Sequence, residues 1–151
     1  MMKKILFVCH GNICRSPMAE YVMKQMVEDA GLTDGFEIDS AATSTEEIGN
    51  GVYPPVKAML EKAGMDCSSH AARQMTKADY DHYDHIVVMD TNNLNNIKRI
   101  VGNDKQGKVC RLLDFTDQTG DIADPWYTRD FELTWKQVRA GCSAFLAWLR
   151  A

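Results

Sequence analysis

Apolar and polar positions along this chain fall into two rhythms. Residues 4–9, KILFVC, form a short and almost continuous apolar run, the pattern of a strand buried on both faces of a sheet. The chain then turns polar at His10-Gly11-Asn12, after which a helical period takes over. Met18, Tyr21, Val22, Met26 and Val27 lie mostly on one stripe, with Ser16 as N-cap, Pro17 in the first turn and Gly31 as the stop. The alternation continues. Residues 36–41 read as a second strand, 56–63 as a helix stopped by Gly64, and Thr76 caps a short helix through Tyr83. Residues 85–89, HIVVM, read as a third strand, 92–100 as a polar helix and 108–113 as a fourth strand. A long loop, 114–129, precedes a last helix over 131–149, where Phe131, Trp135, Val138, Cys142, Phe145 and Leu149 recur at helical spacing.

Strands alternating with helices predict βαβ units and a parallel sheet covered on both faces. The length of 151 residues suits one domain, 1–151, with a single core. In such α/β folds ligands bind beyond the carboxyl ends of the strands. The segment after residue 9 lies at such an end.

Composition narrows the partners. Apolar residues make up 45% of the chain and charged residues 25%, with a net charge of −4, so a nucleic-acid partner is not expected. An anionic small substrate stays possible, because local backbone dipoles can override net charge. The apolar stretch Ile5 to Cys9 is cut by His10-Gly11-Asn12 and is shorter than the roughly 7–15 residues of a signal core. No run approaches the roughly 20 apolar residues of a membrane helix. The expectation is a soluble, cytoplasmic monomer. Cys9, Cys14, Cys67, Cys110 and Cys142 are odd in number, which argues against a disulfide framework.

The stretch FVCHGNICRSPMAE places two cysteines and an arginine where the first strand hands over to a helix. A loop entering a helix N-terminus aims backbone N–H groups at one spot, and the helix dipole adds partial positive charge. Gly11 permits close backbone approach, and Asn12 tolerates the left-handed region. Arg15 offers a planar fork that matches two phosphate oxygens. The same field would favour the thiolate of Cys9, and Ser16 could donate a hydrogen bond to the sulfur. Such a thiolate beneath a bound tetrahedral anion is set for in-line attack on phosphorus.

The spacing of Cys9 to Arg15-Ser16 resembles the phosphatase signature C-x5-R-[S/T]. The fuller string V-C-x-G-N-I-C-R-S-P resembles the low-molecular-weight protein tyrosine phosphatase family. The resemblance runs along essentially the whole chain and implies a flavodoxin-like sheet of strand order 2-1-3-4. It implies that His10, Gly11, Asn12, Ile13, Cys14, Arg15 and Ser16 enclose the phosphate, that Cys9 is the nucleophile, and that no cofactor or metal is needed. The loop before the last helix contains Asp124-Pro125-Trp126-Tyr127. It matches the family's D-P-[YFW] segment, making Asp124 the general acid and base, with Trp126 and Tyr127 flanking the substrate ring. Asp121 is the second candidate acid.

Further stretches, Asp39–Ser44, Ser68–Gln74 and Val88–Asp90, extend the resemblance. They imply that Ser40 and His70 join Asn12 in a network under the loop and that Asp90 supports it. Each has a plainer reading: a strand-end hydroxyl, a loop histidine, a helix cap. In that family a pair such as Cys9 and Cys14 can form a reversible disulfide that shields the nucleophile; packing alone would equally explain Cys14. Glu46 stands near where many relatives carry an aromatic wall residue. His82 and His85 are three apart beside carboxylates, but nothing nearby completes a tetrahedral metal set.

The loop Gly49–Pro55 looks more like bacterial members, so a phosphotyrosine-bearing partner such as a bacterial tyrosine kinase is expected. Two related activities share the scaffold. Arginine phosphatases tend to carry threonine where this chain has Ile13. Arsenate reductases need a second cysteine pair after the third strand, where Cys110 stands alone. A phosphate- or phosphotyrosine-binding module without turnover is the non-enzymatic alternative.

Overall fold

The computed structural model describes residues 2–151. Four strands, β1 (Lys3–Cys9), β2 (Phe36–Ala42), β3 (His85–Val88) and β4 (Val109–Arg111), form one sheet of order β2-β1-β3-β4. All three pairings are parallel, and β1 lies between β2 and β3, with Val8 opposite both Ala41 and Val88. This is the order the resemblance implied. Ile5, Leu6, Phe7 and Val8 are all fully buried, which explains why β1 lacks the alternation of a one-sided strand.

Successive side chains of β1 enter two different cores. Ile5, Phe7 and Cys9 face helices α1 (Arg15–Asp29), α2 (Pro54–Lys62) and α6 (Phe131–Arg150). Leu6 and Val8 face α3 (Lys77–His82) and α4 (Thr91–Val101). On α6, Val138, Cys142, Phe145 and Leu149 are buried as their spacing predicts, and the Phe145 ring meets Phe7 edge-on at 6.3 Å between centroids. A short helix, α5 (Pro125–Thr128), interrupts the long loop. Among the described residues no helix is long and apolar enough to cross a membrane.

Element ends differ from the pattern in places, and three of these bear on the site and the core. The first helix starts at Arg15, since the Met18 amide already donates to the Cys14 carbonyl at 3.1 Å. Cys14 is therefore the N-cap position, with no side-chain cap, and Ser16 sits inside the first turn. The second helix likewise begins earlier, at Pro54, because proline tolerates the first helical turn. The fourth strand ends at Arg111, and Leu112–Phe115 wind into a 3-10 turn whose leucines are buried. An apolar run such as 108–113 cannot show by itself where pairing stops.

Candidate active site

Parallel pairing brings the carboxyl ends of β1 and β2 side by side, and the site is assembled there. Cys9 is the last residue of β1 and is 3% exposed. The chain then turns sharply at Asn12, which takes a left-handed φ of 61° and is wholly buried. That turn directs the Asn12 amide back to the Cys9 sulfur at 3.3 Å. The Ser16 hydroxyl lies 2.9 Å from the same sulfur. Among the described residues, the amides of Gly11, Ile13, Cys14 and Arg15 have no acceptor in the chain, so they are available to an anion.

A left-handed asparagine needs anchors, and Asn12 has four. Its Nδ2 donates to Ser16 Oγ at 2.8 Å and to Ser40 Oγ at 3.0 Å. Its Oδ1 accepts from the Arg73 amide at 3.2 Å, and its carbonyl lies 2.8 Å from His70 Nε2. Ser40 Oγ donates to Glu20 Oε1 at 2.6 Å, and Lys24 holds the other Glu20 oxygen at 2.6 Å. The directions are coupled. Ser40 gives its single hydrogen to Glu20 and accepts from Asn12. Ser16 also accepts from Asn12, which leaves the Ser16 proton available to the sulfur.

Arg15, 2% exposed, opens α1. Its Nη1 donates to Asp90 Oδ2 at 2.6 Å and to the Ile122 carbonyl at 3.0 Å, and its Nη2 reaches Asp124 Oδ2 at 3.3 Å. Burial pushes the guanidinium down, but the negative charge of Cys9, Asp124 and Asp90 outweighs it and holds Arg15 above its ordinary value. Asp90 does two jobs. It binds Arg15, and it caps α4 by accepting from the Asn93 amide at 2.7 Å.

Asp124 caps α5, accepting from the Trp126 amide at 3.0 Å, with Pro125 as the first helical residue. Asp121, the other candidate acid, is engaged by the Thr91 amide at 2.9 Å and by Arg111 at 3.2 Å, away from the pocket. A pocket of about 110 Å³ has Cys9, Gly11, Ile13 and Arg15 among its lining residues. Glu46, Glu47, Asp124, Trp126 and Tyr127 complete its walls, together with His10 and Cys14. His10 Nε2 meets Glu46 Oε2 at 2.9 Å. Trp126 packs on Tyr53 with ring centroids 5.0 Å apart, and Tyr127 is 80% exposed. Burial, followed by the neighbouring Cys9 charge, pushes the Cys14 thiol up to about 12.

The chain as a whole matches the model of the low molecular weight phosphotyrosine protein phosphatases over residues 4–151. The chain belongs to this family. Membership makes it a protein phosphatase of the hydrolase class. A low molecular weight protein-tyrosine-phosphatase of Bacillus subtilis, YfkJ, is 34% identical over 97% of this chain and 95% of its own. Its crystal structure superposes with a TM-score of 0.95 over 99% of this chain and 96% of that one. The family's chicken enzyme is 42% identical over 96% of this chain and 94% of its own. The crystal structure of a Drosophila arginine phosphatase is also similar, with a TM-score of 0.88 at 26% identity, covering 98% of each chain.

Three residues of the site, Glu20, Arg73 and Ile122, carry no signal in the sequence. Glu20 sits four residues before Lys24, a spacing that reads as a solvated surface pair, yet Glu20 is 3% exposed. The Arg73 amide and the Ile122 carbonyl act through the backbone, which leaves no trace in residue type. The paired histidines have other occupations. His82 meets Glu37 at 2.6 Å, and the His85 ring packs edge-on against Phe145 and Trp148.

Proposed function

We propose that this protein hydrolyses phosphotyrosine on proteins, and small aryl phosphates, through a phosphocysteine intermediate. The observation that carries this reading is that Cys9, Arg15 and Asp124 line one small pocket. In the first step Cys9 Sγ attacks phosphorus in line as the bond from phosphorus to the phenolic oxygen breaks. Protonated Asp124 gives its proton to that departing oxygen. In the second step water attacks phosphorus, Asp124 takes the water proton, and the phosphorus–sulfur bond breaks to release phosphate. The Ser16 hydroxyl supports the sulfur as it leaves. Loop amides from His10 to Ser16 and the Arg15 fork meet the oxyanion charge, so the reading invokes no cofactor.

Asp90 orients Arg15, and Ser40 and His70 hold Asn12. Trp126 and Tyr127 flank the substrate ring from one wall and Glu46 from the other. Ile13, 9% exposed and lining the pocket, adds apolar bulk there that favours a phenyl ring over a polar guanidino group. A tyrosine phosphatase is therefore preferred to an arginine phosphatase. Cys14 is the partner proposed for reversible oxidation of Cys9. All five cysteines are unpaired thiols, which suits the reducing cytoplasm, where we place the protein as a monomer. Its partner is a phosphotyrosine-bearing protein, such as a bacterial tyrosine kinase.

Release of phosphate from an aryl phosphate by wild type, Cys9→Ser and Asp124→Asn tests the reading. Cys9→Ser should show no turnover. Asp124→Asn should lose about 10²–10⁴-fold in kcat, the usual yield of a positioned acid. An inactive wild type, or an active Cys9→Ser, overturns the assignment. A binding module would retain the phosphate pocket yet show no turnover in wild type.

A further inference from the structure

A second depression of about 420 Å³ adjoins the phosphate pocket and shares two lining residues with it, His10 and Glu46. Its chemistry is different. The far side is built from α4, which contributes Asn96 and Arg99 from its last turns, and the floor includes Thr43 and Gln74. Arg99 is exposed. None of the ion pairs among the described residues involves Arg99. The Thr43 hydroxyl is buried and has no hydrogen-bond partner among the described residues. The one carboxylate of the groove, Glu46, is already engaged by His10 at 2.9 Å. A chain of net charge −4 thus keeps an uncommitted cation beside its active site.

A third depression, of about 340 Å³, meets the phosphate pocket through other residues, Ile13, Glu47 and Trp126, and continues over Val52, Tyr53 and Pro54. It is largely apolar and aromatic. The phosphate pocket therefore has a cationic polar groove on one wall and an apolar groove on another, and the two grooves share no residue. A protein substrate crossing the mouth meets unlike surfaces on its two sides.

We propose that the groove under α4 is a substrate subsite that takes an acidic side chain of the phosphotyrosyl protein, its carboxylate on Arg99. This rests on the phosphatase reading and adds a sequence preference to it. An extended chain advances roughly 3.3–3.6 Å per residue. The pocket and the groove are adjacent, with His10 and Glu46 lining both, so we place the acidic residue within about two or three positions of the phosphotyrosine. Asn96 adds an amide donor for the same carboxylate, while Gln74 Nε2 already donates to the Thr43 carbonyl at 3.1 Å and has one hydrogen left to offer.

The test compares two phosphotyrosyl peptides, one with Glu two and three positions to either side, the other with Gln there. The readout is the ratio of their kcat/KM values within each variant, so a change in the folded fraction cancels. Wild type should prefer the Glu peptide by about two- to fivefold at low salt, the range of an exposed ion pair, with the preference shrinking as salt is raised. Arg99→Lys should keep the preference and Arg99→Glu should invert it. A ratio that Arg99→Glu leaves unmoved overturns the proposal. Failure of wild type to hydrolyse either peptide or an aryl phosphate would instead strike the phosphatase reading. The ratio of the two peptides' Kd values on Cys9→Ser, with and without Arg99→Glu, then judges the subsite by the same criterion.

Discussion

Asp90 Oδ2 lies 2.6 Å from Arg15 Nη1, with the two side chains only 14% and 3% exposed. The pair fixes one edge of the guanidinium, and under the proposed function it decides which edge is left for a substrate oxyanion. It also ties the loop after β1 to the start of α4, because the other Asp90 oxygen caps that helix. Leaving a buried charge alone costs about 3–5 kcal/mol. Arg15 keeps the Ile122 carbonyl and Asp124, so the loss on Asp90→Asn should not exceed about 3 kcal/mol. Asparagine still caps a helix. Asp90→Ala should therefore lose about 1 kcal/mol more than Asp90→Asn. Urea denaturation measures the difference, and equal losses would show that the cap contributes nothing. Both variants should bind inorganic phosphate more weakly as a competitive inhibitor.

Asn12 combines backbone strain with anchoring, and two substitutions separate them. Its φ of 61° costs about 1–2 kcal/mol for an ordinary residue, while its side chain makes three hydrogen bonds. Asn12→Gly removes the anchors and keeps the backbone freedom. Asn12→Ala removes the anchors and adds strain, so it should be less stable than Asn12→Gly by about 1 kcal/mol. Both should lower kcat for an aryl phosphate. A glycine variant with wild-type kcat would show that the side-chain network does not set the loop.

Much of the site was legible because its chemistry is local. Cys9, Arg15 and Ser16 lie within eight residues where β1 hands over to α1, and Asp124-Pro125-Trp126 announces itself as a stiff acidic turn. Ser40 and Asp90 follow from topology, since Ser40 lies in the carboxyl half of β2 opposite Phe7 and Asp90 stands two residues past the end of β3, both strands beside β1. Glu20 did not follow. A helical glutamate with a lysine four residues on usually belongs to solvent, and only the fold turns it toward Ser40. The helix start was misplaced for a functional reason. Ser16 is a good cap by type, but its hydroxyl lies 2.9 Å from the Cys9 sulfur instead, and the Met18 amide pairs with the Cys14 carbonyl. The end of the fourth strand was set by packing under α6 rather than by residue type.

Gly141 shows such packing from the other side. A Cβ placed there would lie 2.5 Å from Leu112 Cγ, so α6 approaches the 3-10 turn closely because this residue has no side chain. Alanine favours a helix interior over glycine by about 1 kcal/mol, whereas overpacking a core costs about 1–3 kcal/mol. The contact is too short for the propensity gain to win. Gly141→Ala should lower Tm. Combining it with Leu112→Ala should give less loss than the two separate losses added, since the cavity admits the new methyl. Additive losses by thermal denaturation would refute the clash.

The buried thiols give a pH dependence with a definite sign. Burial holds Cys14 and Cys110 up at about 12, against 9.0 for an ordinary thiol, and raises Cys142 as well. Between those limits the unfolded chain has released these protons and the folded chain has not. The folded state then binds more protons, so stability falls as pH rises. The stabilisation is fully present below about pH 9 and is lost progressively toward about pH 12. Urea midpoints measured from pH 7 to pH 11 should decline above pH 9, and the decline should be shallower in a Cys14→Ala, Cys110→Ala double variant. At pH 7 iodoacetamide should leave Cys14, Cys110 and Cys142 unlabelled in the folded protein and label them once urea unfolds it, because the thiolate is the reacting species. Rapid labelling of Cys14 in the folded state at pH 7 would mean that its thiol is neither buried nor held protonated.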